Sequence, residues 1–239
     1  MNSLRSPRIF FSLLKPQMAQ TTYTVLYQEA YKFCESTCKN LGIDSSHDAS
    51  HMARVADLTA ELNHRCGRTV TDSEKRVMML SAFTHDLCDR KYIDVDTGLQ
   101  TISSWLSTLG LRQEEKEAVV KIITTMSYSK VTKFGYPTDL GEFLLAYHHT
   151  RVADLIDAYD IDRCYAYQTH AHPDMDEREK WLAVIRLFES RVLTQKDQYI
   201  MPVCPYAADL VELRHTAAVE AVELAKFRIQ ESKGAVTIQ

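Results

Sequence analysis

The sequence predicts an all-α fold, and three observations carry that prediction. Only 7 Gly and 6 Pro occur in 239 residues, so few positions interrupt regular structure. Apolar residues recur at three- and four-residue intervals over long stretches, the pattern of amphipathic helices. Residues suited to starting and stopping helices punctuate those stretches. No internal repeat, low-complexity tract or shift in composition demands a second domain, so residues 21–239 are read as one helical domain with additional helices at its C-terminal end.

The elements follow in order. The first 28 residues contain no Asp or Glu but carry Arg5, Arg8 and Lys15 around IFFSLL, a composition found in mitochondrial-type leaders. The alternative is a plain, disordered N-terminal extension with Met18 as the start; either way residues 1–20 stand outside the fold. From Asp48 to Cys66, His51, Val55, Leu58 and Leu62 share one face, and Gly67 is a plausible stop. The next helix starts near Thr71 or Asp72, with Glu74 completing a capping box if Thr71 is the cap, and runs through Val77, Leu80 and Phe83. TGLQTISSWLSTLG predicts a short helix closed by Gly110, and RQEEKEAVVKIITTM a longer one. SYSKVTKFGYPTDLGE, with Gly135, Pro137 and Gly141, predicts a loop near the site. Helix resumes from Glu142 to about Tyr167. DEREKWLAVIRLFESRVL is a further helix, with acidic residues at its start where they favour the dipole. After a break at MPVCP, a last helix runs from about Tyr206 to Gln230.

Composition excludes several classes of function. A formal charge of -4 and a pI near 6.1 argue against a nucleic-acid duplex as the main partner, since phosphate neutralisation needs clustered Lys and Arg. No apolar run approaches the roughly 20 residues that span a bilayer, so no membrane partner is expected. Cys34, Cys38, Cys66, Cys88, Cys164 and Cys204 show no CxxC spacing, which fits a reduced compartment. The expected location is cytoplasmic, or mitochondrial if residues 1–20 act as a transit peptide.

The most informative motif is His85-Asp86, at the end of the apolar run MMLSAFTHDLCDRKYID. Neighbouring side chains on a helix point about 100° apart, so a helix end can offer one imidazole and one carboxylate to a single cation. His51, in HDASHMARVADLTAEL, and Asp154, in HHTRVADLIDAYD, each lie in a segment of helical pattern. Three helices can therefore converge on one ion.

The order His, then His-Asp, then Asp resembles the HD-domain superfamily of metal-dependent phosphohydrolases, in particular its small stand-alone members. HMARVADL is similar to the family's first ligand helix, AFTHDLCDRKY to its His-Asp helix, RVADLIDAYD to the helix bearing its last aspartate, and MSYSK to a segment of one subgroup. The likeness spans about residues 25–170 and implies an HD-type helical bundle. It further implies the metal ligands His51, His85, Asp86 and Asp154, a mixed N/O set suited to one divalent transition metal (Mn, Fe, Co or Ni, with Mg less ideal). It implies an enzyme that cleaves a phosphate ester of a nucleotide or another small phosphorylated metabolite through a metal-activated water. Asp86 and Asp89 are the expected catalytic carboxylates, Asp89 orienting the water or shuttling a proton. Arg54 and Lys91 are the expected cations for a substrate phosphate.

Each assignment has a rival. His47, which with Asp48 spells a second His-Asp pair, competes with His51. Asp154 can be read as a surface aspartate, although a carboxylate on so apolar a helix needs a partner. Asp89 and Arg54 can be structural, and Asp157 and Asp160 are read as surface partners of Arg151 or Arg163. His148-His149 raises the alternative of a di-iron oxygenase, but as sequence neighbours they favour a single-metal site. His170 and His172 are read as loop residues. A non-catalytic helical scaffold is the remaining alternative.

Overall fold

The computed structural model describes residues 11–234 and is all-α. Of the extension expected over residues 1–20, residues 1–10 lie outside the described residues, and α1 (Phe11–Leu41) begins at Phe11. Then come α2 (Ala49–Cys66), α3 (Asp72–Thr84), α4 (Val95–Thr108), α5 (Gln113–Thr125) and α6 (Tyr128–Phe134). After a short 3-10 turn follow α7 (Leu144–Asp157), α8 (Ile161–Ala171), α9 (Glu177–Leu187) and α10 (Ala208–Gly234). Among the described residues no helix is long and apolar enough to cross a membrane.

Capping chemistry sets several of these boundaries. The Thr71 hydroxyl accepts from the Glu74 N–H, and the Glu74 carboxylate accepts from the Thr71 N–H, so two otherwise orphaned donors are satisfied at the start of α3. Asp48 caps α2 by accepting from the N–H groups of Ser50 and His51. Gly67 ends that helix at φ 67°, a left-handed conformation that glycine adopts without a Cβ penalty.

The core forms where α2, α3 and α7 pack against one another, with α5 and α1 also lying on α3. Met52, Val55 and Leu62 from α2, Val77, Leu80 and Phe83 from α3, and Tyr147, Val152 and Ile156 from α7 are all fully buried. Each such side chain stabilises the fold by about 1.5–3 kcal/mol relative to exposure. Across the rest, Phe33 of α1 stacks on Trp105 of α4 at 4.1 Å. Gly98 of α4 sits flush on the segment after His85-Asp86: a Cβ there would meet the Cys88 Cα at 2.8 Å.

Three boundaries differ from expectation. The helix expected from Glu142 to Tyr167 breaks at residues 158–160, and Asp160 caps the new helix α8 by accepting from the Asp162 and Arg163 N–H groups. The segment expected as loop contains helix α6, whose C-terminus is closed by Gly135 at φ 75°. The amphipathic run after Glu177 does not stay α-helical. It widens into π-helical turns at Phe188–Val192 and Lys196–Ile200, where Leu193 N–H donates to Phe188 O and Met201 N–H to Lys196 O, both at 2.9 Å.

Candidate metal centre

The three central helices each deliver part of one polar cluster. His51 lies in the first turn of α2, where the Asp48 cap holds its backbone. His85 follows the last residue of α3, and its Nδ1–H donates to Ala82 O at 2.8 Å, which fixes the ring and turns Nε2 towards His51. Asp86 comes next in the chain. Asp154 and Asp157 sit one turn apart near the end of α7.

These side chains meet. The Nε2 atoms of His51 and His85 are 3.2 Å apart. Asp86 Oδ2 lies 3.3 Å from His51 Nε2 and 3.2 Å from His85 Nε2, and Asp154 Oδ1 lies 3.6 and 3.7 Å from the same two nitrogens. His51, His85 and Asp154 each offer one ligand atom within 4.8 Å of the others. Both imidazoles are buried, whereas the Asp86 and Asp154 side chains are 16% and 31% exposed, so the cluster opens to its surroundings along its carboxylate edge.

The second nitrogen of His51 is also engaged. Its Nδ1 lies 2.7 Å from Asp157 Oδ2, and Asp157 in turn accepts from Arg54 Nε at 3.0 Å and Nη2 at 3.2 Å. Arg163 Nε approaches the same carboxylate at 3.5 Å. Burial opposes ionisation of Asp157, but hydrogen bonds from His51 and Arg54 outweigh it and hold its pKa well below the ordinary value. An ionised Asp157 fixes the proton of His51 on Nδ1 and leaves Nε2 as a lone pair, the arrangement by which an outer carboxylate orients a ligating histidine.

Two lone-pair nitrogens 3.2 Å apart, flanked by two carboxylates, need positive charge between them. The pKa shifts express the same demand. Burial disfavours a charged His85, yet the carboxylates of Asp86 and Asp154 raise its pKa well above 6.5. Burial would raise Asp154, yet hydrogen bonding and charge from His85 bring it down to about 2, and Asp86 is held low by His85 and His51 against the same penalty. Two imidazoles and two carboxylates with this geometry fit a divalent transition metal by donor type and number.

The other residues singled out from the sequence fall elsewhere. Arg54 does not face the carboxylate edge: its Nε and Nη2 are held by Asp157, because it stands one turn from His51 on α2 and meets the end of α7. Asp157 is a buried hub rather than the surface partner expected, at 3% exposure. The i, i+3 spacing of Asp154 and Asp157, matched by that of His51 and Arg54, is the signal that would have found it. Asp89 accepts from the Lys91 N–H at 3.0 Å and pairs with Lys91 Nζ at 3.1 Å. Lys91 Nζ also lies 3.2 Å from His47 Nε2 and 4.8 Å above the Tyr167 ring.

His47 packs 6.0 Å from the His51 ring and is occupied by Ser46 Oγ at 2.5 Å and Tyr92 Oη at 3.2 Å; burial pushes its pKa down to about 4. His149 Nε2 meets Tyr206 Oη at 2.6 Å, and His148 lies against Tyr136 and Tyr147, so neither shares a contact with the cluster. His170 belongs to α8 rather than to a loop, whereas His172 stands just past the helix end, in the loop expected for it.

No family model and no curated protein matches the chain. The chain is similar to the crystal structure of a Lactobacillus plantarum protein solved as a structural-genomics target, with a TM-score of 0.62 at 20% identity over 88% of this chain and 98% of that one. At that identity the likeness shows a shared helical fold.

Proposed function

We propose that the protein is an HD-type, metal-dependent phosphohydrolase acting on a small phosphorylated metabolite, of which a nucleotide is one candidate. The convergence of His51, His85, Asp86 and Asp154 from three helices carries this reading. Those four residues would hold one divalent ion from the set Mn, Fe, Co, Ni or Mg, which supplies charge neutralisation at the phosphoryl group and lowers the pKa of water towards about 7 in the best cases.

The chain's own groups do the rest. Asp157 keeps His51 in the tautomer that presents Nε2, and Arg54 holds Asp157 in place, so Arg54 serves as a positioning residue. Lys91 is the cation best placed to meet a phosphate oxygen beside the cluster, because its ammonium stands against His47, the neighbour of His51. Asp89, paired with that ammonium, aims it. A carboxylate edge that is partly exposed, over imidazoles that are not, gives substrate an approach from one side.

The test pairs two variants of the full chain, assayed on a panel of phosphorylated metabolites with Mn²⁺, Co²⁺ and Mg²⁺ in turn. Asp86→Ala is expected to lose both bound metal, measured by elemental analysis, and turnover. Asp89→Asn is expected to retain metal, lose most of its rate and show a raised KM. Equal metal loss in both variants would remove Asp89 from this role; wild-type protein that retains no transition metal and hydrolyses none of the panel would remove the hydrolase reading.

A further inference from the structure

Arg151 of α7 is 1% exposed and is the bulkiest of the fully buried side chains. Among the described residues its Nε, Nη1 and Nη2 meet no hydrogen-bond partner. Its guanidinium lies over the rings of Tyr136 at 5.5 Å and Tyr199 at 5.0 Å. Aromatic faces stabilise a cation through the plane of the guanidinium but leave its N–H edges unsatisfied.

The surroundings repeat the pattern. Tyr199 packs edge-on to Tyr128 at 5.6 Å, and Arg191 stacks on Tyr128 at 4.1 Å with its Nε also lacking a partner. Gln195 is fully buried with both amide atoms unpaired. Arg191, Gln195 and Tyr199 stand four residues apart along the stretch that carries the two π-helical turns, and such turns are frequent at functional sites. A buried guanidinium with no acceptor, a half-buried one with an unpaired Nε and a buried amide with an unpaired Nε2 lie along this aromatic stretch, and their N–H groups call for one kind of group: an oxyanion.

We propose that Arg151, with Arg191 and Gln195, forms an oxyanion-binding site one helical turn from Asp154, and that its occupant is a second phosphate or carboxylate of the substrate. The binding of an oxyanion stands on these residues alone; its assignment to the substrate rests on the hydrolase reading. A planar guanidinium edge matches phosphate or carboxylate oxygens in pairs, so a substrate with two anionic groups would be held at both ends of the C-terminal half of α7.

The experiment uses the full chain freed of metal with EDTA. Inorganic phosphate is titrated while the Nε–H signal of Arg151, identified by its loss in Arg151→Met, is followed by ¹H–¹⁵N NMR. A saturable displacement of that signal is expected, together with a phosphate-dependent rise in Tm that disappears in Arg151→Met and shrinks several-fold in Gln195→Leu. The second variant serves if the first fails to fold. An unmoved Arg151 signal, or equal phosphate-dependent rises in Tm for the wild type and the folded variants, overturns the site.

The occupant is tested on Mn²⁺-loaded protein of measured metal content with methylenebisphosphonate. Binding at least tenfold tighter than that of phosphate, with the advantage lost on Gln195→Leu, supports a substrate group; equal affinities overturn that assignment in favour of a free anion. Failure of the hydrolase reading would show separately, as absent metal with the Arg151 signal still responding to phosphate.

Discussion

Asp157 and Arg151 are both charged, both buried and both on α7, less than two turns apart. Asp157 is surrounded by donors from α2 and α8, namely His51, Arg54 and Arg163. Arg151 is surrounded by tyrosine rings and has no acceptor among the described residues. A buried charge that is fully hydrogen-bonded fixes its neighbours, whereas an unpaired one raises the energy of the fold until a ligand satisfies it. The C-terminal part of α7 is thus built to hold protein groups still, and the turn before it to receive something from outside.

The largest effect that would break this contrast comes from Asp157→Ala. Removing one partner of a buried, bonded pair costs about 3–5 kcal/mol, and the loss of the carboxylate behind His51 should also weaken metal binding by about 10–100-fold. Denaturant melts and metal titrations of the same variant check both; a cost under about 1 kcal/mol would mean that the hub is not holding α2 to α7.

The next effect has the opposite sign. Arg151→Met replaces an unpaired buried charge by an apolar chain of similar reach, and is expected to stabilise the metal-free, anion-free protein by about 1–4 kcal/mol. A destabilised Arg151→Met would show that the tyrosine faces already satisfy the cation.

The smallest effect sharpens the comparison by asking whether the N-terminal half of α7 is dry. Burial is the main cause that lowers the pKa of His149 from 6.5 to about 4. A ring with a folded pKa below its free value takes up its proton more readily when unfolded. Its neutral state therefore supports full stability above about pH 6.5, which is lost as pH falls from there towards 4, by up to about 3 kcal/mol. His149→Gln should flatten that part of the stability profile against pH; an unchanged profile would mean that water reaches this half of the helix, which would undercut the desolvation of Arg151 as well.

Much of the fold was legible because its signals are local. The Thr71 and Glu74 box and Gly67 act within one turn of chain, and the structure has them where the pattern puts them. The spacing of His51, His85, Asp86 and Asp154 could be read as one constellation because His51, the His85-Asp86 pair and Asp154 mark three separate helical segments. What escaped is what depends on contacts between elements. Asp157 resembles any helical surface aspartate until α2 brings His51 and Arg54 against it. The π-helical turns leave no mark in a 3.6-residue pattern, since widening by one residue hardly disturbs it over five. The break at residues 158–160 went unseen because Asp160, a good cap, reads equally well as a helix-surface charge.

Gly98 bears on the His and Asp cluster from a distance. It touches no member of the cluster, yet the bare backbone of α4 at this position abuts Cys88, two residues after Asp86. The placement of Asp86 thus inherits the tolerance of a contact with no side chain to give way, and a single added methyl would push the tight bend that carries this carboxylate. The geometry of the His and Asp cluster is therefore exposed to mutation through a residue that offers no functional group at all.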